Sequence, residues 1–587
     1  MFLHFEDIRR VRGCQGAPGW GGSMDFAWER LPEPVLEGLC VGGTGKLHLM
    51  RLAGLCLNAG SETGSGGAPL RALGLDLLRA AFEADPLDAP LAGQLLALAP
   101  EAWSGPELGP LLVALEALRI QAARPNPAEQ NIERLAARGD LQPACEAASA
   151  ALAQDPGNPR LLRPALDLAW RSGRAAWAAS LLEAPWPTKA EPLRRFALGN
   201  TLFLLKDYER AREAYAGACA LPLPLARWRL GECLLRLGER QAAQDTWLTA
   251  NRERPWNVNL LLRAHDAALG LDTALRPLDG RLAVLLYTWN KARFLDATLA
   301  AVFGSELAGA HVFVLNNGST DDTAGVISAW QGRVGEGRMT RLDLPVNVGA
   351  PAARNWLASL PAVAACRYAV FLDDDALPPP DWVSRLGAAV EAYPMAGVYG
   401  CKVVDVDNPA CVQNADLHIR PGASGEPRSA EAGNGLALSD LHLLEPDCGQ
   451  FDYLRPCVSV TGCCHLFRTR ILADCGGFDI ALSPSQFDDL EHDLRLNLKG
   501  RPAVYQGHLS VRHARRTGEQ ARSSSRAAVN GHSNWAKIER LYPRREIREI
   551  AGNDHARLLE DLRRKAEALG PEWLAGSQLP PGEPKAR

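Results

Sequence analysis

The sequence Tyr-Ala-Val-Phe-Leu-Asp-Asp-Asp at residues 368–375 decides the fold of the second half of the chain. Its five apolar residues predict a buried strand, and the prolines at 378–380 prevent a helix or regular strand from following at once. Asp373, Asp374 and Asp375 are therefore expected at the carboxyl end of a strand, where ligands collect in open α/β sheets. Adjacent carboxylates repel one another unless a cation or basic partner compensates them, and their hard oxygens suit Mg²⁺ or Mn²⁺. A solvated acidic turn is the alternative interpretation.

Short apolar segments alternate with helical patterns around this strand. The predicted strands are 282–287, 312–315, 341–344 and 368–372, and the predicted helices between them are 294–303 and 350–360. Such alternation predicts a mainly parallel sheet covered by helices on both faces. We therefore expect an α/β catalytic domain over residues 278–515.

The length and charge of the chain limit its class. At about 150 residues per domain, a chain of this length is expected to form two to four domains. The net charge of −4 and the lack of a long Lys/Arg cluster argue against nucleic acid as the main partner. No run of about 18 apolar residues and no signal-like start occur, so we expect a cytoplasmic protein without a transmembrane segment. A peripheral position at a membrane surface stays compatible with this expectation.

The chain contains 14 cysteines without regular spacing. This scatter predicts buried thiols in a reducing compartment rather than a disulfide framework. Cys457, Cys463, Cys464 and Cys475 with His465 lack the paired spacing of a zinc site, so we interpret them as small core residues.

The flanking regions carry weaker signals. Residues 1–65 are rich in Gly and stay unassigned, and residues 66–125 predict short helices. The fragment 42–47 is similar to a phosphate-binding loop, but Cys40 stands in place of the first Gly and Leu47 in place of Ser/Thr, which excludes that interpretation. Residues 516–587 are expected to form a mobile segment, a charged helix at 553–569 and a disordered tail.

A repeat runs through residues 126–277. Gly139, Gly173, Lys206 and Gly238 each precede an alanine by five residues, and they follow one another at intervals of 34, 33 and 32 residues. This pattern resembles tetratricopeptide repeats, in which a small residue lets two antiparallel helices approach. The resemblance implies a concave surface that recruits a partner protein or an acceptor. A helical array without that function is the alternative.

Five motifs follow one another along the chain, at residues 286–290, 315–321, 347–349, 352–355 and 373–375. In their order they resemble the motifs of the family 2 glycosyltransferases, and the resemblance covers about 230 residues. The resemblance implies a GT-A fold, which is a Rossmann-like α/β domain, and an inverting transfer of sugar from a nucleotide-diphospho-sugar with Mn²⁺ or Mg²⁺. The acceptor class stays open between carbohydrate, lipid-linked and protein acceptors.

The resemblance also implies which residues bind the donor. They are Thr288, Asn290, Asn316, Asn317, Arg354, Asp373 and Asp374. Asn316 stands where the family often has an Asp that accepts from the base, and Asn accepts only through a neutral carbonyl, so the identity of the base stays open. Arg354 is expected to neutralise the diphosphate or, alternatively, to form a structural salt bridge to Asp373 or Asp374.

The segment 487–495 resembles the acidic motif that carries the family's general base. Asp488, Asp489 and Glu491 are its acids, and Asp489 stands at the catalytic position. An inverting transfer needs a carboxylate that takes the proton of the acceptor hydroxyl, so Asp489 is the candidate base. Stabilisation of a helix N-terminus is the alternative role for these acids.

The metal ligands implied by the resemblance are Asp375, Asp373 and His513, the last at the end of the closing strand. A purely structural histidine is the alternative for His513. Residues 514–535, with Arg515, Arg516 and Arg522, are interpreted either as a lid over the diphosphate or as a solvated linker.

Two other functions are alternatives to the transferase. A scaffold whose repeats act and whose transferase-like domain is inactive has no reason to keep every acid of the motifs. A nucleotidyltransferase would need a Gly-rich loop with Arg and Lys after the first strand, and residues 288–293 do not provide it.

Overall fold

The structure is a computed structural model, and it describes residues 26–62, 67–102, 108–183, 186–187, 189–307, 309–420, 434–443, 445–514, 525–574 and 577–578. The chain forms two compact units. The first comprises the described parts of Met1–His265, Leu443–Gln450 and Arg563–Arg587, and the second those of Asp266–His442 and Phe451–Leu562.

Helices occupy most of the chain before the sheet. They are α1 Glu33–Val41, α2 Lys46–Glu62, α3 Ala68–Ala84, α4 Ala89–Ala102, α5 Gly109–Gln121, α6 Ala128–Ala137, α7 Leu141–Gln154, α8 Pro159–Arg171, α9 Ala175–Leu181, α10 Glu191–Leu204, α11 Tyr208–Ala218, α12 Pro224–Arg236, α13 Arg240–Glu253 and α14 Val258–Ala268. A short parallel pair joins β1 Phe26–Ala27 to β12 Ser577–Gln578. Part of the Gly-rich segment left unassigned is thus helical.

The four periodic positions of the repeat are turn residues between paired helices. Gly139, Gly173, Lys206 and Gly238 all have positive φ angles, of 82°, 68°, 62° and 87°. A left-handed residue ends one helix and lets the chain reverse into the next, which explains why Gly recurs at this interval.

Small residues bring the paired helices together. A Cβ on Gly199 of α10 would lie 2.7 Å from the ring of Tyr215 in α11, and one on Gly231 of α12 would lie 2.3 Å from Nε1 of Trp247 in α13. The predicted close approach of helices is therefore observed at these pairs. The assignment of the array to tetratricopeptide repeats stays a prediction.

The fragment that is similar to a phosphate loop binds a carboxylate of the chain itself. Glu445 accepts hydrogen bonds from the backbone NH of Lys46, at 2.5 Å, and from the hydroxyl of Thr44, at 3.3 Å. The exposed NH groups at the start of α2 are satisfied in this way. The rejection of a nucleotide loop here agrees with these contacts.

The second unit is built on a mixed sheet of ten strands among the described residues. The strands are β2 Leu282–Thr288, β3 His311–Asn317, β4 Met339–Leu344, β5 Tyr368–Leu372, β6 Ala376–Leu377, β7 Val398–Asp405, β8 Val412–Asn414, β9 Leu454–Cys457, β10 Cys464–Arg468 and β11 Ala503–His513. Their main order is β4-β3-β2-β5-β10-β7-β11-β6, with β8 beside β7 and β9 beside β11. The strands β4, β3, β2 and β5 are parallel, whereas β10 runs antiparallel between β5 and β7.

Helices alternate with these strands as the sequence predicted. They are α15 Ala292–Phe303, α16 Thr323–Val334, α17 Ala350–Ala358, α18 Pro361–Ala364, α19 Trp382–Ala392, α20 Thr469–Cys475, α21 Asp488–Leu498, α22 Ser525–Leu541, α23 Arg544–Leu569 and α24 Pro571–Leu574. Buried residues of β2, β3 and β5 form one core with the apolar faces of α15 and α19. The predicted class, a mainly parallel α/β domain behind a helical region, is confirmed.

The predicted lid, helix and tail near the C-terminus can be compared with the structure only in part. Residues 515–524 of the predicted lid and the tail from 579 lie outside the described residues, and 525–541 belong to α22. The predicted helix 553–569 forms the last 17 of the 26 residues of α23. Among the helices described, none has the length and apolar character needed to cross a bilayer.

Candidate active site

The three acids lie where several strands of the sheet end. The strand β5 is completely buried, and the backbone NH of Asp373 just after it donates to the carbonyl of Cys463, at 3.0 Å. This bond extends the antiparallel β5–β10 ladder by one residue. The next strand, β6, pairs with the end of β11 and brings His513 opposite Ala376. The pairing therefore places the acids, Cys463 and His513 at one edge of the sheet.

Lys291 compensates two of the three acids. It directly precedes α15, and its Nζ donates to Oδ1 of Asp374 at 2.7 Å and to Oδ2 of Asp375 at 2.8 Å. Burial lowers the pKa of Lys291, but the charges of both acids outweigh burial and raise it. Burial raises the pKa of Asp374. The repulsion expected between the adjacent carboxylates is thus relieved in part by a lysine of the chain.

His513 faces the opposite side of Asp375. Its Nε2 lies 3.0 Å from Oδ1 of Asp375 and 3.7 Å from Oδ2 of Asp373. Burial acts to raise the pKa of Asp375, but His513 and Lys291 beside it hold the pKa below its ordinary range. Burial also raises the pKa of Asp373, to about 6. The pKa values of Asp373 and Asp375 are therefore shifted in opposite directions, because burial dominates for Asp373 and the neighbouring positive charges dominate for Asp375.

Arg354 of α17 is buried beside the acids. Its Nη1 donates to Oδ2 of Asp488 at 3.0 Å, and its Nη2 lies 3.9 Å from Oδ1 of Asp373. The guanidinium carbon also lies 5.1 Å from the ring centroid of Phe478, within cation–π distance. The main ion pair of Arg354 is therefore with Asp488, whereas the sequence suggested Asp373 or Asp374.

Asp489 is the second residue of α21 and points to the segment that precedes β10. Its Oδ2 accepts from the backbone NH of Gly462 at 2.6 Å, and its side chain is half-buried. A Cβ on Gly462 would lie 2.6 Å from Nη2 of Arg354 and 3.0 Å from Oδ2 of Asp489. Since Cys463 follows Gly462 and bonds to Asp373, the candidate base lies next to the candidate metal ligands.

Glu491 is not brought to this cluster. Its carboxylate forms a salt bridge with Arg495, at 2.7 Å, and accepts from the hydroxyl of Tyr542 at 3.0 Å. Both partners hold the side chain inside the packing of α21 and α22. Among the three acids of the motif, the structure brings Asp488 and Asp489 to the cluster.

The asparagines of the first two motifs shape the turns after β2 and β3. Oδ1 of Asn290 accepts from the NH of Thr320 at 2.7 Å, and Oδ1 of Asn316 accepts from the NH of Ser319 at 3.0 Å. Asn316 also donates to Asp343 at 2.9 Å. The carbonyl and the amino group of Asn316 thus both have partners within the fold.

Asn317 and Thr288 lie at the buried ends of their strands. Oδ1 of Asn317 accepts from the NH of Val348 at 3.0 Å, and its amide donates to Asn347 at 3.0 Å. Thr288 is 1 % exposed at the end of β2. The contacts of Asn317 therefore connect the end of β3 to the turn before α17.

The donor atoms around Asp373 fit a divalent cation. One carboxylate oxygen of Asp373, Sγ of Cys463 and a ring nitrogen of His513 all lie within 4.8 Å of one another. Oδ1 of Asp375 is buried, and Nε2 of His513 lies 3.0 Å from it. A carboxylate oxygen and a histidine nitrogen at this distance are a pair that a divalent cation could bind together.

The predicted site residues lie in the part of the chain that matches a known family. Residues 280–537 match the model of the family described as "Glycosyltransferase like family 2". These residues form a glycosyltransferase family 2-like domain. The match includes every site residue predicted from the motifs, and it supports a glycosyltransferase. No curated protein matches the chain.

Several solved structures are similar to this chain at low identity. A mannosyltransferase, PcManGT from Pyrobaculum calidifontis in complex with GDP-Man and Mn²⁺, is 18 % identical with a TM-score of 0.34, and the match covers 54 % of this chain and 85 % of that one. GalNAc-T7 with UDP, GalNAc and Mn²⁺ is 11 % identical with a TM-score of 0.32, over 44 % and 51 % of the two chains. TarS 1–349 of S. aureus is 14 % identical with a TM-score of 0.29, over 50 % and 71 %. At TM-scores below 0.5, these similarities carry no weight for the assignment.

Two residues of the transferase-like domain were missed by the sequence interpretation. Lys291 directly follows the first-strand motif, and its position at a strand end was an available signal for contact with the acids. Cys463 was interpreted as a core residue, but its sulfur lies beside Asp373 and His513. The cysteines within the described residues are free thiols, and most of them are buried.

Proposed function

We propose that the glycosyltransferase family 2-like domain moves a sugar from a nucleotide-diphospho-sugar to an acceptor hydroxyl, with inversion at the anomeric carbon. One observation carries the proposal. The NH of Gly462 donates to Asp489, and the carbonyl of the next residue, Cys463, accepts from Asp373. The candidate base and the candidate cation ligands therefore flank the same two residues.

The donor needs positive charge beside its diphosphate. Asp373, Asp375 and His513 would hold Mn²⁺ or Mg²⁺, which when bound stabilises the charge that develops on the leaving diphosphate. Lys291 adds a positive charge next to Asp375, at 2.8 Å. Arg354 is nearby and forms an ion pair with Asp488. We therefore assign it two roles, which are to hold the acidic segment in place and to bind the donor.

The acceptor hydroxyl needs a base. In the proposed step, Asp489 takes the hydroxyl proton while the acceptor oxygen forms a bond to the anomeric carbon. The bond between that carbon and the diphosphate oxygen breaks, and its electron pair stays with the nucleoside diphosphate. The half-buried position of Asp489 leaves its carboxylate accessible, whereas Asp488 is buried in its ion pair with Arg354.

Release of nucleoside diphosphate tests the proposal. The purified full chain is incubated with a panel of nucleotide-sugars and Mn²⁺ or Mg²⁺, and nucleoside diphosphate is measured with and without candidate acceptors. Asp489→Asn is expected to reduce the transfer rate by at least about 100-fold, the usual contribution of a general base. Asp474→Asn is the matched control, because Asp474 is an exposed carboxylate of α20 whose side chain is 70 % accessible.

A scaffold with an inactive domain is the second candidate, and one observation favours it. Lys291 occupies part of the acidic cluster where a cation would otherwise compensate Asp374 and Asp375. If no nucleotide-sugar of the panel is turned over, and if none stabilises the protein in thermal unfolding, the transferase proposal is wrong and the scaffold is preferred.

The role of the helical repeats belongs to this proposal as well. We expect them to recruit the acceptor or a partner protein. In the same unit, the segment Leu443–Gln450 already packs on the repeat helices, where a Cβ on Gly449 would lie 2.8 Å from the carboxylate of Glu232. Removal of residues 126–253 would also remove helices that cover this segment, so point substitutions on exposed helix positions are the appropriate test.

A further inference from the structure

Cys463 lies beside the acidic cluster, although none of the five sequence motifs includes it. It lies between Gly462 and the start of β10, and its backbone is fixed opposite Asp373 by the bond from the Asp373 NH. Its side chain is 3 % exposed, and its sulfur lies within 4.8 Å of ligand atoms of Asp373 and His513. Ligand atoms bound at about 2.0–2.3 Å to one ion are up to about 4.5 Å apart, so small side-chain rotations bring the three onto one cation.

The hydrogen bonds of His513 show which of its two ring nitrogens can bind a cation. The amide of Gln413 donates to the backbone carbonyl of His513 at 3.2 Å, so the Gln413 oxygen faces Nδ1 of the ring, at 2.9 Å. Since that oxygen only accepts, Nδ1 carries the proton. Nε2 lies 3.0 Å from Oδ1 of Asp375, where either a proton on Nε2 or a bound cation joins the nitrogen to the carboxylate.

The other oxygens of the cluster are already engaged. Lys291 takes Oδ1 of Asp374 and Oδ2 of Asp375. Lys291 does not contact Asp373 or Oδ1 of Asp375. These carboxylate oxygens are therefore the ones that a cation could bind. A cation at this edge of the cluster therefore meets one sulfur, one imidazole nitrogen and carboxylate oxygens, and this set differs from the all-oxygen shell that Mg²⁺ prefers.

We propose that Cys463 is a metal ligand together with Asp373 and His513, and that the site prefers divalent cations that bind thiolate, such as Zn²⁺ or Co²⁺, over Mg²⁺. The inference deepens the proposed function, because it concerns the cation of the same site. When the cation binds, the thiol of Cys463 releases its proton to solvent and the sulfur donates an electron pair to the metal. Mixed sulfur, nitrogen and oxygen ligands are typical of these borderline metals.

Absorption spectroscopy with Co²⁺ tests the assignment without reference to catalysis. The purified full chain is titrated with Co²⁺, and the near-ultraviolet charge-transfer band of a cobalt–thiolate bond is followed. We expect this band to saturate at one equivalent. In Cys463→Ala the band is lost and Co²⁺ affinity falls at least about tenfold, while Mg²⁺ affinity by calorimetry stays within about threefold. Cys464→Ala is the matched control, since Cys464 is the adjacent buried thiol and lies outside the group formed by Asp373, Cys463 and His513.

Two results would overturn the assignment. One is stoichiometric Co²⁺ binding to the native chain without a thiolate band, which needs no variant and is independent of how well Cys463→Ala folds. The other is an unchanged band in a folded Cys463→Ala protein. Turnover of a nucleotide-sugar with Mg²⁺ alone, together with either result, would leave the transferase proposal intact and remove only the sulfur ligand. A thiolate band in a protein that turns over no nucleotide-sugar would support the sulfur ligand and contradict the transferase proposal.

Discussion

Nζ of Lys291 lies 2.8 Å from Oδ2 of Asp375, inside the acidic cluster at the end of β5. The lysine side chain is 19 % exposed and the Asp375 side chain 1 %. A positive charge supplied by the chain thus meets one side of the cluster, and His513 meets the other. This division explains how adjacent carboxylates are tolerated in a buried position, and it leaves only the side of His513 for the proposed cation.

Loss of this charge should destabilise the domain. In Lys291→Met the buried carboxylates lose their partner, and we expect the free energy of unfolding to fall by about 3 kcal/mol, as for other broken buried pairs. Urea unfolding of the full chain measures the change. Lys291→Arg keeps the charge and is expected to recover most of the loss. Equal stability of Lys291→Met and the native chain would show that the ion pair contributes nothing.

A side chain at Gly462 should disturb the candidate base. In Gly462→Ala the new Cβ would lie 2.6 Å from Nη2 of Arg354 and 3.0 Å from Oδ2 of Asp489, so one of them must move. Overpacking of this kind costs about 1–3 kcal/mol. We also expect transfer activity to fall at least tenfold, roughly the loss from misplacing a catalytic group. Gly332→Ala on α16 is the control, because a Cβ there contacts nothing within 4 Å. Full activity of Gly462→Ala would argue against a role for Asp489.

The buried His418 should make stability depend on pH. Nδ1 lies 2.8 Å from Asp554 and Nε2 lies 3.0 Å from Asp416, while Arg455 also contacts Asp416. Burial and Arg455 lower the pKa of His418, but the two carboxylates outweigh them and raise it. Since the folded pKa is raised, the stabilisation is complete below the unfolded pKa of about 6.5 and is lost as pH rises through the folded pKa.

Unfolding free energies between about pH 6 and pH 9 measure this effect. The native chain is expected to lose stability relative to His418→Gln as pH increases over that range. A difference between the two proteins that is constant with pH would mean that His418 does not change its protonation on unfolding.

Lys206 is the one periodic turn position in the repeat that is not glycine. It has a φ angle of 62°, in the left-handed region that L side chains disfavour, and it is exposed. Lys206→Gly removes this strain, but glycine also increases the conformational entropy of the unfolded chain. The net effect is expected to be a stabilisation of about 0.5–1 kcal/mol. Gly238→Lys is the reciprocal control at φ 87°, with a similar loss expected. Thermal unfolding of both variants checks the sign, and destabilisation by Lys206→Gly would contradict the explanation of the repeat.

Much of the fold could be predicted because its signals are local. The strand at 368–372 has the bounds expected, since a short apolar run between polar residues and prolines has one plausible conformation. The parallel strands β2, β3 and β4 extend beyond their predicted cores by one to three residues, where polar side chains such as Asn316 join the ladder. The repeat interval was also visible, because a left-handed turn requires particular residues at a fixed position.

The sequence by itself thus determined the class of the fold, the order of the motifs and the place of the acids at a strand end. Only the tertiary structure decided their partners. Lys291 and Asp375 are 84 positions apart, and the contact of Cys463 with Asp373 depends on the register of an antiparallel pair formed far along the chain. Local patterns fix which residues form a strand, but they do not fix which strand lies beside it, so the charges and donor atoms that meet at the site follow from pairing alone.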